Sequence, residues 1–256
     1  MLGTEDVKDY LNNSLRELRL PTVKACYEQQ AHRARKESLS YERYLAELVE
    51  LECQERLHRR IERFLRDSRL PLEKDLNSFE MKRLPSRVAA NVNALLDGSF
   101  LGRAENVLAF GNPGSGKTHL LCAIGQELIY KGYRVRFTPC SLLVQELLLA
   151  KQNLRLPRTL KKLSKYDALI IDDIGYVEQN REEMEVLFIL LADRYERGSV
   201  MITSNLPFSK WERIFKDPMT TAAAIDRLVH HSICLLYTSD AADEGLGVDL
   251  GGRRII

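Results

Sequence analysis

The chain has 256 residues, 45% hydrophobic and 29% charged, a composition that supports a buried core and excludes a disordered or fibrous protein. Its 38 Lys and Arg against 36 Asp and Glu leave a net charge of +2. No global field therefore drives it toward nucleic acid or membrane, and any basic surface must be local. The longest apolar run, Val186 to Ala192, falls far short of the roughly 18 to 20 residues a membrane helix needs. The acidic start MLGTEDVKDY does not read as an export signal, so a cytoplasmic protein is expected. Five cysteines without a CxxC pair argue against both zinc and a structural disulfide.

From Asp6 to about Leu70 apolar residues recur at helical spacing, with Ser40 placed to cap a helix over Tyr41 to Leu65. This stretch predicts a small all-helical domain, residues 1–75. Beyond it short apolar runs alternate with amphipathic stretches, the pattern of βα units around a parallel sheet, over residues 76–234. The predicted elements are a strand at Val107 to Phe110, a helix from His119 to Lys131 ending at Gly132, and a strand at Arg134 to Thr138. A helix over Ser141 to Lys151, a buried strand at Ala168 to Asp172, a helix from Glu183 to Arg197 with Asn180 as cap, and a strand at Val200 to Ser204 follow. Residues 235–256 hold four of the 14 glycines and break the alternation, which predicts a flexible tail.

Gly111-Asn112-Pro113-Gly114-Ser115-Gly116-Lys117-Thr118 fits GxxxxGK[ST] between a predicted strand and a predicted helix, the context a phosphate-binding loop requires. Its glycines let successive N–H groups turn toward phosphate oxygens at a helix N-terminus. Lys117 would reach the β- and γ-phosphates of ATP and Thr118 would ligate Mg2+, with His119 next to them on the same turn. A buried strand should bring an acid beside the loop, and Asp172 ends one, placed to hold Mg2+. Asp173 follows, either polarising the attacking water or standing as a solvated loop acid. Asn205 ends a third strand and would orient water if that strand lies between the other two, although Asn before Leu206-Pro207 is also an ordinary turn residue.

GNPGSGKTH, ALIIDDIGY, ADRYERGSVMITSNLPFSKW and TAAAIDRLVHH, in this order, resemble the IstB-like ATPases, AAA+ helper proteins of insertion-sequence transposases related to DnaC-type helicase loaders. The resemblance implies an α/β P-loop NTPase core with a five-stranded parallel sheet, ATP held between neighbouring subunits, and a homo-oligomeric ring or spiral on double-stranded DNA. It also implies that Asp172 and Asp173 form the Walker B pair, that Asn205 is sensor I and that Arg227 is an arginine finger. Family members continue past the His pair into a segment bearing a sensor II arginine. This chain has CLLYTSD there, with no matching arginine, which puts hydrolysis more in question than nucleotide binding.

Lys151, Arg155, Arg158, Lys161, Lys162 and Lys165 form an acid-free run suited to DNA phosphates, with no base-reading motif, so low sequence specificity is expected. A second basic row, Arg56, Arg59, Arg60, Arg63 and Arg66, is interrupted by acids and reads equally as a salt-bridged surface. His230 and His231 have no acid or Cys partner at zinc spacing. Trp211 reads as a packing residue. The expected function is an ATPase that assembles on DNA and assists a transposase. Its rivals are a DnaC-like loader of a replicative helicase and a small-molecule P-loop kinase.

Overall fold

The computed structural model describes residues 4–175, 181–211 and 218–236. They fall into two compact units, one ending at Arg63 and one starting at Phe64, upstream of the boundary expected near residue 75. None of the helices described is long and apolar enough to cross a membrane.

The first unit is built from α1 (Thr4–Glu17), α2 (Pro21–Glu37) and most of α3 (Tyr41–Ser68). Ser40 does cap α3, its Oγ accepting the Arg43 N–H at 3.2 Å. Leu15, Val23 and Leu48 form the core, with Leu11, Leu20, Tyr27 and Tyr44 packed around them. Two of the five arginines in the basic row on α3 pair within the helix, Arg56 with Glu52 and Arg59 with Glu55, each at 2.9 Å. This favours the salt-bridged reading of those two arginines.

α2 starts at Pro21 after Leu20, which offers no side chain to its free N–H groups. Glu52, only 3% exposed, supplies the cap from α3, accepting the N–H of Thr22 at 2.8 Å and of Val23 at 3.1 Å. Burial pushes the Glu52 carboxyl up, but the bonds from Val23, Arg56 and Thr22 outweigh it and hold it below its ordinary value of 4.5. A carboxyl lowered by folding contributes stability above its unfolded value and loses it as pH falls through the folded one. Acid unfolding monitored by circular dichroism below about pH 4.5 should therefore be less steep in Glu52→Gln. The same variant should lose about 1 kcal/mol at neutral pH. An unchanged acid limb would refute the capping role.

The second unit opens with the tail of α3, a 3-10 turn (Met81–Arg83), α4 (Ser86–Leu95) and α5 (Ser99–Gly102). Leu70, 7% exposed, belongs here because it packs over Gly125 in a helix of the sheet layer, which is why the division precedes residue 75. Then follow β1 (Asn106–Phe110), α6 (Lys117–Tyr130), β2 (Val135–Pro139), α7 (Cys140–Gln152), α8 (Leu156–Leu163), β3 (Ala168–Ile174), α9 (Arg181–Arg194) and β4 (Ser199–Ser204). α10 (Pro218–Val229) and β5 (Ser232–Leu236) complete it. The five strands form one parallel sheet in the order β2-β3-β4-β1-β5. An α/β core with helices on a parallel sheet, preceded by helices, is the expected architecture.

Three features depart from the expectation. α8 occupies the basic run as an amphipathic helix, with Leu163 buried and Leu156 and Leu160 packed on the core. Leu235, assigned to the tail, is fully buried in β5 opposite Ala109, and Leu236 pairs with Phe110. An edge strand of five residues, Ser232–Leu236, is too short to carry a periodic signal of its own. The remainder of the tail and the cap residue Asn180 lie outside the described residues. Finally, β3 runs past Asp172 to Ile174, with a bulge in its pairing to β4 between Ile171 and Ile174.

At the amino ends of β3 and β4, Arg194 from the end of α9 is 3% exposed. Its Nη2 donates to the carbonyls of Tyr166 (3.1 Å), Asp167 (3.2 Å) and Ser199 (2.9 Å), and its Nη1 to that of Leu163 (3.2 Å). One guanidinium thus ties the end of α8 to the start of β3 and β4. Burial pulls its pKa down to about 10, so it stays charged at neutral pH.

Candidate nucleotide-binding site

β4 lies between β1 and β3, so the carboxyl ends of three strands open onto one cleft, the position at which open parallel sheets bind ligands. After β1 the chain turns through Gly111, Gly114 and Gly116, whose φ angles of 155°, 80° and 90° suit glycine. Gly116 precedes α6 in the left-handed conformation, which aims the first N–H groups of that helix into the cleft.

Lys117 is 6% exposed. Its Nζ donates to the carbonyls of Gly111 (2.8 Å) and Asn112 (2.9 Å) and lies 3.5 Å from Ser115 Oγ. Burial lowers its pKa, opposed by the charges of Asp173 and Asp172. Thr118 Oγ1 donates to Asp172 Oδ1 at 2.8 Å, and Thr203 Oγ1 on β4 donates to the same oxygen at 2.7 Å. Asp172 is 8% exposed. The bulge carries Asp173 out of the strand in the left-handed conformation (φ 58°), and its N–H donates to Thr203 Oγ1 at 2.8 Å. Burial and the neighbouring Asp172 raise the Asp173 carboxyl, against the pull of Lys117 and Lys74.

These residues border a cavity of about 310 Å³ lined by Lys74, Pro113, Gly114, Gly116, Lys117, Thr118, His119, Asp173 and Asn205. Asn205 therefore faces the same space as the loop. His119 lines the cavity edge, but its Nε2 is held by Asp75 O (3.0 Å) and Ser78 Oγ (3.2 Å). Lys74 was not visible as a site residue, because no spacing links it to the loop.

The donor set fits magnesium. A hydroxyl and a carboxylate brought together beside the phosphate loop, 2.8 Å apart, are the hard oxygen donors that this ion prefers. Thr118 and Asp172 would hold it.

Other expected residues fall elsewhere. Arg227 does not line this cavity. Its guanidinium lies 4.7 Å over the Phe188 ring and donates to Ala223 O at 3.2 Å. Arg155, Arg158, Lys161, Lys162 and Lys165 are exposed on and around α8, whereas Lys151 pairs with Glu185 at 2.7 Å. Trp211 is fully buried against Phe110 and Phe208 and donates to Leu206 O at 3.1 Å. The His pair does acquire an acid. Glu196, in the turn after α9, comes within 3.9 Å of His231, and its ligand atoms with those of His230 and His231 lie within 4.8 Å of one another. Sequence spacing could not show this, because the turn after α9 reaches the end of α10 only through the fold.

Comparison with solved structures gives the same core. The DnaC helicase loader superposes with a TM-score of 0.53 at 18% identity, covering 64% of this chain and 96% of that one. AMPPCP-bound DnaA from Aquifex aeolicus gives 0.54 at 20% identity, covering 66% and 51%. Such likeness shows a shared fold, a parallel sheet flanked by helices with a phosphate loop after its first strand. Among curated relatives, an insertion sequence ATP-binding protein of Sinorhizobium fredii is 48% identical over 85% of this chain and 74% of its own length. The insertion sequence IS21 ATP-binding protein of Pseudomonas aeruginosa is 41% identical over 79% and 76%. The family model described as IstB-like ATP binding protein matches residues 13–242, and with the loop, the paired acids and the sheet order in place, the chain belongs to that family.

Proposed function

We propose that the chain binds and hydrolyses ATP, assembles as a homo-oligomer on double-stranded DNA with little sequence preference, and thereby assists an insertion-sequence transposase. The reading rests on the meeting of the phosphate loop, the Thr118–Asp172 pair, Asp173 and Asn205 around one cavity. The relatives' association with insertion sequences points to the transposase as partner. A DnaC-like replicative helicase loader shares the fold, and capture of a transposase rather than a helicase separates the two.

In this reading the loop N–H groups and Lys117 bind the phosphates, and Thr118 with Asp172 positions magnesium, which when bound neutralises phosphate charge. Asp173 accepts the proton of the attacking water as general base, and Asn205 orients that water. Arg227 sits outside the cavity of its own chain and would serve the site of a neighbouring copy, which makes turnover depend on assembly. For that it must leave Phe188 and Ala223. The exposed Arg155, Arg158, Lys161, Lys162 and Lys165 would meet DNA phosphates.

The deciding experiment measures phosphate release by the purified chain with and without duplexes of unrelated sequence. DNA of any sequence should stimulate hydrolysis, and Arg227→Ala should remove roughly 10³-fold or more of the stimulated rate while leaving nucleotide affinity intact. Phosphorylation of a small acceptor, indifferent to DNA, would replace the reading by that of a kinase.

A further inference from the structure

Lys74 stands on the short segment between α3 and the first 3-10 turn, yet it lines the nucleotide cavity together with Lys117, Asp173 and Asn205. Its backbone is strapped to α6 at two levels. Gln126, 4% exposed, donates from Nε2 to Lys74 O at 3.0 Å and lies 3.4 Å from both Pro71 O and Leu72 O. One residue on, Asp75 O meets His119 Nε2 at 3.0 Å, and Asp75 Oδ1 accepts both the N–H and the hydroxyl of Ser78 at 2.7 Å. Phe79 then packs edge-on against His119, and its ring edge lies 3.3 Å from where a Cβ on Gly116 would stand. The segment is thus keyed to the first turns of the helix that carries Lys117 and Thr118.

The side chain of Lys74 is half-buried and forms no ion pair or hydrogen bond among the described residues. An immobilised backbone whose ammonium makes no direct bond and meets the charge of Asp173 across a phosphate cavity calls for an anion. The charge balance agrees. A nucleoside triphosphate brings roughly four negative charges and Asp172 and Asp173 two more, against a divalent metal ion and Lys117. One further cation relieves part of the deficit where charge builds up on the terminal phosphate. Lys117 already bonds two loop carbonyls, so its capacity is shared.

We infer that Lys74 is a second phosphate-binding cation, which contacts the terminal phosphate of a bound nucleoside triphosphate from within the same chain. The inference rests on the nucleotide reading above. It makes Lys74 a discriminator between triphosphate and diphosphate, because only the former extends to the wall that carries Asp173 and Asn205.

The test is equilibrium binding of fluorescently labelled ATP and ADP to the purified full chain, wild type, Lys74→Gln and Lys74→Arg. Thermal melting without nucleotide serves as the check on folding. Lys74→Gln should weaken ATP about 10-fold or more and leave ADP within about 2-fold, and Lys74→Arg should restore the preference. Lys74→Met keeps the aliphatic stem and gives the same comparison if the amide is poorly tolerated. Wild-type binding together with Lys74→Gln that binds ATP as well, or loses ATP and ADP equally, overturns the inference alone. A wild-type chain that binds neither nucleotide overturns the nucleotide reading with it.

Discussion

Replacing Asp173 by asparagine should lower ATP turnover by about 10²–10⁴-fold while leaving nucleotide affinity close to that of the wild type. The carboxylate is not part of the phosphate cradle. It is turned out of β3 by the bulge and fixed there by the bond from its own N–H to Thr203, so the amide can take its place without moving the loop. A base must be ionised to act. The wild-type rate should therefore fall on the acid side as this carboxyl takes up a proton. The residual rate of the asparagine variant should lack this limb. Lys117→Ala should differ in kind, losing nucleotide binding itself, since it removes the charge that organises Gly111 and Asn112. Wild-type turnover in Asp173→Asn would move the base elsewhere.

The largest expected effect on stability belongs to Arg194, far from the cavity. Arg194→Leu strips four carbonyls of a buried charged donor, and removing one partner from such a network costs about 3–5 kcal/mol. Lysine should not rescue it, because a single ammonium cannot span the positions reached by a planar fork. Gly198→Ala attacks the same contact from the other side, as the added Cβ would stand 2.6 Å from Nη2 of a side chain with nowhere to go. It should cost about 1–3 kcal/mol. Denaturant unfolding of the nucleotide-free chain checks both, and an Arg194→Leu midpoint equal to the wild type would show that the carbonyls find other donors.

What could be read from the sequence was what is local. The phosphate loop lies within eight consecutive residues whose glycines, lysine and threonine each act on the next. Ala168 to Ile171 announce a buried strand by composition, and an acid at its end follows from the geometry of parallel sheets. Asn205 depended on strand order, which no single segment encodes, and the placement of β4 between β1 and β3 supplied it. Arg194 reads as an ordinary arginine near the end of the predicted helix over Glu183 to Arg197, and only the meeting of α8, β3 and β4 turns it into a buried tie. Glu52 looks like one more surface acid on a charged helix until α2 presents its unfinished end. Lys74 has no periodicity to betray it, because its position is set by Gln126 and His119 on a helix some fifty residues away. The lysines and arginines on and around α8 mask the helical spacing of Leu156, Leu160 and Leu163.

The hydroxyl of Thr203 receives the N–H of Asp173 and gives its proton to Asp172, and Asn205 follows two residues later, one position past the end of that strand. In the proposed cycle Asp172 would hold the metal, Asp173 would act as base and Asn205 would orient water, and all three would thereby be geared to one strand. A push on Asn205 when the terminal phosphate leaves would travel along β4 as a rigid rod and reach both acids together. Release of phosphate and loosening of the metal site should then be a single event, which would give the chain a sharp two-position cycle in place of a graded one.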